Sequence, residues 1–571
     1  MQSESLESWV SVLKRARCFR SEGNGSLLDS FGASLEGWSG QISKYNDFLS
    51  KPRVQAGNLG EDEKALIVET RAALRFGLCC LSCENETDRR NLQTRMVECH
   101  HWHLPLTTLL SEQRGDSKCR VFAARMFSNL VASNDVTAAV IATAVPLAPS
   151  NEDISRSMLG TLSMNGEMQS LYLKKRSNWV SMFISSARGS DREALAGVAA
   201  ALYNLTVALP TGIQPPFVKR MASDSMLIST LLRQFVSVQA VEAAVDTKVD
   251  SNSDSQWDSA TDWIFLFLIR LMNMGMLPVM YRAIGGDKAH SSEYAPVFPE
   301  QNVLLHCAAR EAQSFIDNAA KNTEMENPFG GEVGSEATKA SYEFLVDTFC
   351  RHSRGSRAAD EMDEQLARSA ALSCVDVVSI SLGTDNQVCA DLREHLGSNT
   401  ELLRTASDVL GGLVDELTER SAGLKARDLK LSPEEQQWMV SLVRLLGNLC
   451  YQCRSNQDKI RTTLVPPCKQ GSPSLAADSN IERNAIHVLL SCTSFATSCF
   501  TLREWGVIAI RNILHENEAN QSVVAELDAQ DPIQSAALDQ AGVRVKMDKS
   551  GKVSLSTLDE DKESPLEINN E

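Results

Sequence analysis
Two groups of side chains stand at spacings that could do chemistry. The first is cysteine with histidine. Cys79, Cys80 and Cys83 lie in LCCLSCENE, and Cys99, His100, His101 and His103 in VECHHWH, all within 25 positions. Thiolate and imidazole are zinc ligands, but zinc sites bring them as two evenly spaced pairs. Those pairs are missing here. Cys79 and Cys83 stand four apart on an apolar run, the spacing of one helix face, so they read as core and no metal is assigned. Cys450 and Cys453 spell C-x-x-C, the spacing of a redox dithiol.

The second group is asparagine. Asn129, Asn204, Asn448 and Asn512 each close an apolar run: CRVFAARMFSN, ALAGVAAALYN, WMVSLVRLLGN and EWGVIAIRN. A primary amide is both donor and acceptor, so it can pair with both backbone groups of an extended peptide. On that reading the four asparagines form part of a protein-binding groove, with Arg444 and Arg511 beside them as exposed candidates. On the other, each amide ties its helix to the neighbouring repeat. An Asn-Gln pair follows at 456–457 and again at 520–521, where it is expected to start or cap the next helix.

The elements that must position these residues are helices. In 438–450 the apolar positions Trp438, Leu442, Leu445, Leu446 and Leu449 step by three and four. Alternating strand patterns do not recur. RLLGNLCYQCRSNQDKI is rewritten 64 residues later as AIRNILHENEANQSVV: Asn448 falls on Asn512, Leu449 on Ile513, Asn456 on Asn520 and Gln457 on Gln521. Cys450 falls on Leu514, an apolar position, which argues against a redox role. A helical unit that cannot bury its apolar face alone stacks on its neighbour, so copies of this kind imply a solenoid. The expected fold is all-α, an armadillo/HEAT-like right-handed superhelical solenoid. Its repeat separation exceeds the usual 40–47 residues because of inserted loops such as 466–480.

Breaks in composition divide the chain into 1–60, a helical and irregular opening; 61–245, armadillo-like repeats; 262–420, central helical repeats with insertions; 435–530, a C-terminal repeat domain; and 531–571, an acidic tail expected to lack structure. The run 263–281, WIFLFLIRLMNMGMLPVMY, is as long as a membrane span, but the central Arg270 favours a buried core helix.

The 571 residues carry a formal net charge of −17 and 15 cysteines. Without a basic cluster longer than LYLKKR, that balance argues against nucleic-acid binding. No membrane insertion is expected. The opening MQSESLESWVSVLKRARCF lacks a signal-peptide pattern, so the expectation is a cytoplasmic protein with reduced thiols. No phosphate-binding loop, nucleophile elbow, zinc-protease or kinase motif is present, and neither a catalytic residue nor a cofactor is assigned.

The stretches LVRLLGNLCYQCRSNQDKIR and LREWGVIAIRNILHENEANQ resemble the C-terminal signature of the ataxin-10 family, over roughly 435–530. The resemblance implies an armadillo-type superhelix and a non-enzymatic cytoplasmic scaffold that binds other proteins. It further implies a role in cytokinesis and, in animals, in neurite growth and neuronal survival. The alternative is an importin-like adaptor gripping a linear basic peptide. Peptide-gripping armadillo proteins place Trp four residues before the Asn; here those positions are Arg125, Ala200, Arg444 and Ile508. Self-association is left open.

Overall fold
The computed structural model describes residues 61–81, 116–132, 179–188, 192–209, 214–245, 260–285, 296–319, 335–353, 361–383, 387–421, 430–466, 483–494, 499–526, 543–547 and 553–557, together with 40–47 and scattered other positions. The described residues are almost entirely helical. In chain order the helices are α1 (Glu61–Leu81), α2 (Ser117–Val131), α3 (Trp179–Arg188), α4 (Arg192–Ala208), α5 (Gln214–Ser223), α6 (Ser225–Val245), α7 (Ala260–Asn273), α8 (Leu277–Gly285) and α9 (Pro299–Ala319). There follow α10 (Ser335–Ser353), α11 (Glu361–Ser381), α12 (Gln387–Gly397), α13 (Thr400–Ser421), α14 (Pro433–Cys450), α15 (Arg454–Thr462), α16 (Ala485–Ser494), α17 (Phe500–Leu514) and α18 (Glu518–Ala525).

Two compact units are formed. The first is Met1–Leu396 with Pro433–Leu445, the second Gly397–Ser432 with Leu446–Glu571. The blocks 262–420 and 435–530 each straddle a boundary, because composition breaks mark loops rather than packing.

In the first unit, α2 starts where Asp116 accepts from the Cys119 amide at 2.9 Å. The same carboxylate pairs with Arg71 of α1, so one side chain caps a helix and joins two. α2 buries Cys119, Ala123, Ala124, Met126, Phe127, Leu130 and Val131, the three-and-four stripe of a core helix. Its neighbour α4 approaches closely: a Cβ on Gly197 would lie 2.7 Å from the Ala124 Cβ. Phe127 meets Trp179 of α3 with ring centroids 5.5 Å apart, and Tyr281 of α8 meets Phe344 of α10 edge-on at 5.0 Å.

The apolar run 263–281 is two helices and not one. α7 stops at Asn273, α8 starts at Leu277, and the axes bend by 111°. Gly275, at φ 74°, sits at the turn. The Met276 amide donates back to the Leu271 carbonyl at 3.0 Å and the Gly275 amide to that of Met272 at 2.8 Å. Those paired bonds are the Schellman closure, which glycine's tolerance of positive φ permits. Among the described residues no single helix is long and apolar enough to cross a membrane.

In the second unit, the long insert after α15 is closed at its base. Leu464 and Asn484 form an antiparallel bridge, with the Val465 amide donating to the Arg483 carbonyl at 2.8 Å. Asn484 then caps α16, its Oδ1 accepting from the Ile486 amide at 3.1 Å. Arg483 makes a two-pronged pair with Asp415 of α13.

The segment 531–571, expected to lack structure, contains a hairpin. β1 (Val543–Met547) and β2 (Val553–Thr557) pair antiparallel, with Val543 opposite Thr557 and Met547 opposite Val553. The sequences VRVKM and VSLST alternate in character around a polar, glycine-containing link, which is a hairpin pattern at minimal length.

Candidate protein-interaction surfaces
The repeated asparagines come together in pairs. In the first unit the Asn204 amide, on α4, donates to Ser128 of α2: 3.1 Å to its Oγ and 3.4 Å to its carbonyl. Ser128 immediately precedes Asn129. In the second unit the Asn512 amide, on α17, donates to the Gly447 carbonyl at 3.1 Å, and Gly447 immediately precedes Asn448. Each later asparagine thus reaches the residue before the earlier one. Asn448 is buried, while Asn129, Asn204 and Asn512 are half-buried. A Cβ on Gly447 would lie 2.8 Å from Ala509, so this crossing is as close as the one at Gly197.

The Asn-Gln pairs sit inside the first turn of α15 and α18, not at their caps. The N-caps are Cys453, without a side-chain bond, and Asn517, which accepts from the Asn520 amide. The Asn-Gln side chains reach backwards by seven residues: Asn456 to the Leu449 carbonyl at 2.8 Å, Gln457 to Cys450 at 3.3 Å, Asn520 to Ile513 at 3.0 Å and Gln521 to Leu514 at 2.9 Å. A helix leaves its last four carbonyls without intrahelical donors, and these amides supply them. The turn between is also repeated. Gln452 and Glu516, 64 residues apart, have φ of 51° and 53°.

Gln457 does more. Its amide also donates to the carbonyls of Asn512 at 2.9 Å and His515 at 3.3 Å, and its Oε1 accepts from Asn517 at 3.2 Å. The first unit repeats this clamp with residues that the sequence had not singled out. Gln93 donates to the carbonyls of Asn129 at 2.7 Å and Ala132 at 3.0 Å, and accepts from Asn134 at 3.0 Å. Asn129, Ala132 and Asn134 stand to Gln93 as Asn512, His515 and Asn517 stand to Gln457. The signal was present: an Asn recurs five residues after the repeated Asn, as Asn134 and as Asn517.

Arg444 is half-buried against α11. It donates to Asp376 Oδ1 at 2.5 Å and to Ser379 Oγ at 2.9 Å, with the two charged side chains 11% and 16% exposed. Burial lowers its pKa from the ordinary value, opposed by the Asp376 charge. Arg125, in the same place four residues before an Asn, pairs with Glu193 at 3.0 Å. Arg511 is exposed on α17. That helix buries Leu502, Gly506, Ala509 and Ile513 on one face. Its other face carries Phe500, Val507 and Ile508, exposed by 81%, 55% and 40%, in line with Glu504 and Arg511.

Cys450 is buried with its thiol pushed up, first by burial and then by Cys453, so it is a poor nucleophile. Cys83, Cys99, His100, His101 and His103, and the side chains of Cys79 and Cys80, lie outside the described residues. Among the described residues no group of three His, Cys, Asp or Glu side chains is placed to hold a metal ion.

With this geometry in hand, the comparisons with known proteins are specific. Residues 474–556 match the family model described as the spinocerebellar ataxia type 10 protein domain. Ataxin-10 of Xenopus tropicalis is 26% identical over 291 residues, 46% of this chain and 50% of that protein. Over these stretches the chain is similar to the ataxin-10 family, and residues 474–556 carry its domain. Ataxin-10 of Homo sapiens is 28% identical over 118 residues, and the ataxin-10 homolog of Saccharomyces cerevisiae 35% over 120. The matches thus span half of the Xenopus protein, 21% of the human and 18% of the yeast one. The ataxin-10 domain match begins inside the insert before α16 and runs through β1 and most of β2, so it takes in the hairpin that the signature at 435–530 stops short of.

Proposed function
We propose that this chain is a non-catalytic protein-interaction scaffold of the ataxin-10 type, an armadillo-type superhelical stack acting in the cytoplasm in support of cell division. The observation that carries the binding role is the exposed apolar face of α17. Phe500, Val507 and Ile508 would be buried on a helix inside a stack, and large apolar side chains left exposed together on one helix face mark interaction sites. The repeated asparagines serve as ties between helices in this reading, since Asn204 of α4 bonds to α2 and Asn512 of α17 to α14. That favours a scaffold over an adaptor gripping a basic peptide along an asparagine row. The partner is another protein or a second copy of this chain.

The test is affinity purification from dividing cells followed by mass spectrometry. Wild type is compared with Phe500→Ser/Val507→Ser/Ile508→Ser and, separately, with Asn512→Ala, with melting curves and light scattering on each protein. The triple variant should keep its melting point and lose specific partners or self-association. Asn512→Ala should melt lower and keep its partners. Unchanged partners and unchanged mass for the triple variant would refute the α17 reading.

A further inference from the structure
A second surface lies in the first unit. The helices α9, α11 and the first part of α14 line an open groove of about 480 Å³. Its carboxylate is Asp376, and that charge is already engaged. Asp376 accepts from Ser441 at 2.7 Å, from Arg444 at 2.5 Å and from Gln437 at 3.4 Å, all on α14. His306 is engaged as well, its ring nitrogens 3.0 Å and 3.3 Å from the hydroxyls of Ser369 and Ser373.

Arg310 is different. It is exposed, its guanidinium lies 4.8 Å above the ring of Phe265, and it has no carboxylate at ion-pair distance among the described residues. A guanidinium stacked on an aromatic face is held in place with its N–H edge presented outward, the geometry that grips a carboxylate with two parallel bonds. Ala309 and Val440 give the groove apolar wall, and the Gln437 amide can meet a peptide backbone. Among the lining residues Arg444 and Asp376 cancel and leave the charge of Arg310, with Glu311 beside it on α9 outside the lining, in a chain of net charge −17.

We propose that this groove takes an extended peptide segment bearing an acidic side chain, whose carboxylate docks on Arg310. The proposal rests on the scaffold reading and gives that scaffold a second partner chemistry. The sign is opposite to that of an importin-like groove, which needs acidic walls for a basic peptide.

The experiment is selection of a random dodecapeptide phage library on the full-length protein, in parallel with Arg310→Glu. Arg310 is exposed, so the variant should fold, and its melting curve verifies this. Selected sequences should share an aspartate or glutamate at one position. Their synthetic, labelled forms should bind Arg310→Glu at least tenfold more weakly by fluorescence anisotropy, with affinity falling as salt is raised. Ala309→Trp, which fills the wall without changing charge, should also block them. Enrichment of basic peptides, peptides indifferent to both substitutions, or no enrichment at all would overturn the proposal. Arg310→Glu should leave the partners captured through α17 in place, so failure here and failure of the α17 reading give different results.

Discussion

Replacing Gln457 by alanine should be among the most damaging polar substitutions in the second unit. The side chain is buried and serves three helix ends at once. Its loss removes the donor to the Asn512 carbonyl at 2.9 Å and the weaker bonds to Cys450 and His515, and leaves the buried Asn517 amide without its Gln457 acceptor. A buried polar group left unsatisfied costs about 1–3 kcal/mol. The Asn517 amide keeps a second acceptor in Asp458 at 3.2 Å, which softens its share. Taking the Asn512 carbonyl in full and the rest in part gives about 2–4 kcal/mol, or a fall in melting point of roughly 5–15 °C for a unit of this size. Chemical denaturation should report a lower midpoint at an unchanged slope. Gln521→Ala is the matched control: it removes one exposed bond of the same type, to Leu514, and should cost under about 1 kcal/mol. If Gln457→Ala melts within a degree of wild type, or if the two substitutions cost the same, the clamp does not hold the repeats together.

Four further outcomes are expected. Gly447→Val should destabilise by about 1–3 kcal/mol, because any Cβ there meets Ala509 at 2.8 Å, and calorimetry would show it. Asp376→Ala should cost about 2–4 kcal/mol by stranding Arg444; Asp376→Ala/Arg444→Met should recover much of that loss in a double-mutant cycle. Burial would raise the Asp116 carboxyl, but its bonds to Arg71 and the Cys119 amide outweigh this and hold it below the ordinary carboxylate value. Its contribution is therefore complete at neutral pH and lost as pH falls into the acid range, so Arg71→Met should flatten the acid limb of the stability curve. Burial, with the Arg351 charge, holds His352 at about 4 instead of 6.5; its contribution is full above 6.5 and disappears as pH falls to about 4, and NMR titration of the ring measures it directly.

What the sequence disclosed depended on the range of the interaction. The helices were legible because burial of α14 follows the local step of three and four through Trp438, Leu442, Leu445 and Leu449. The repeat was legible because Asn456 and Asn520 do equivalent work at a fixed separation. The bond from Asn512 to Gly447 was not, since the amide pattern alone fits a ligand as well as a neighbouring carbonyl. Gln93 escaped notice for a related reason: its partners at 129, 132 and 134 lie across an intervening stretch, and no local pattern marks a glutamine that serves another helix. The break at Gly275 interrupts an apolar run without changing its hydropathy, so composition read through it. β1 and β2 are five residues each, shorter than the window in which alternation stands out from chance. The Arg310 groove is built from three helices whose lining residues span 138 positions, from His306 to Arg444, and exists only after folding.

The bridge between Leu464 and Asn484 has a practical consequence for anyone who wishes to follow this protein in a living cell. Because the ends of the insert are fastened to each other by backbone bonds, its length is decoupled from the helices on either side. Doubling a flexible loop costs only about 0.6 kcal/mol in closure entropy. A fluorescent reporter or protease site spliced between these two residues should therefore leave α15 and α16 in register, offering an internal attachment point.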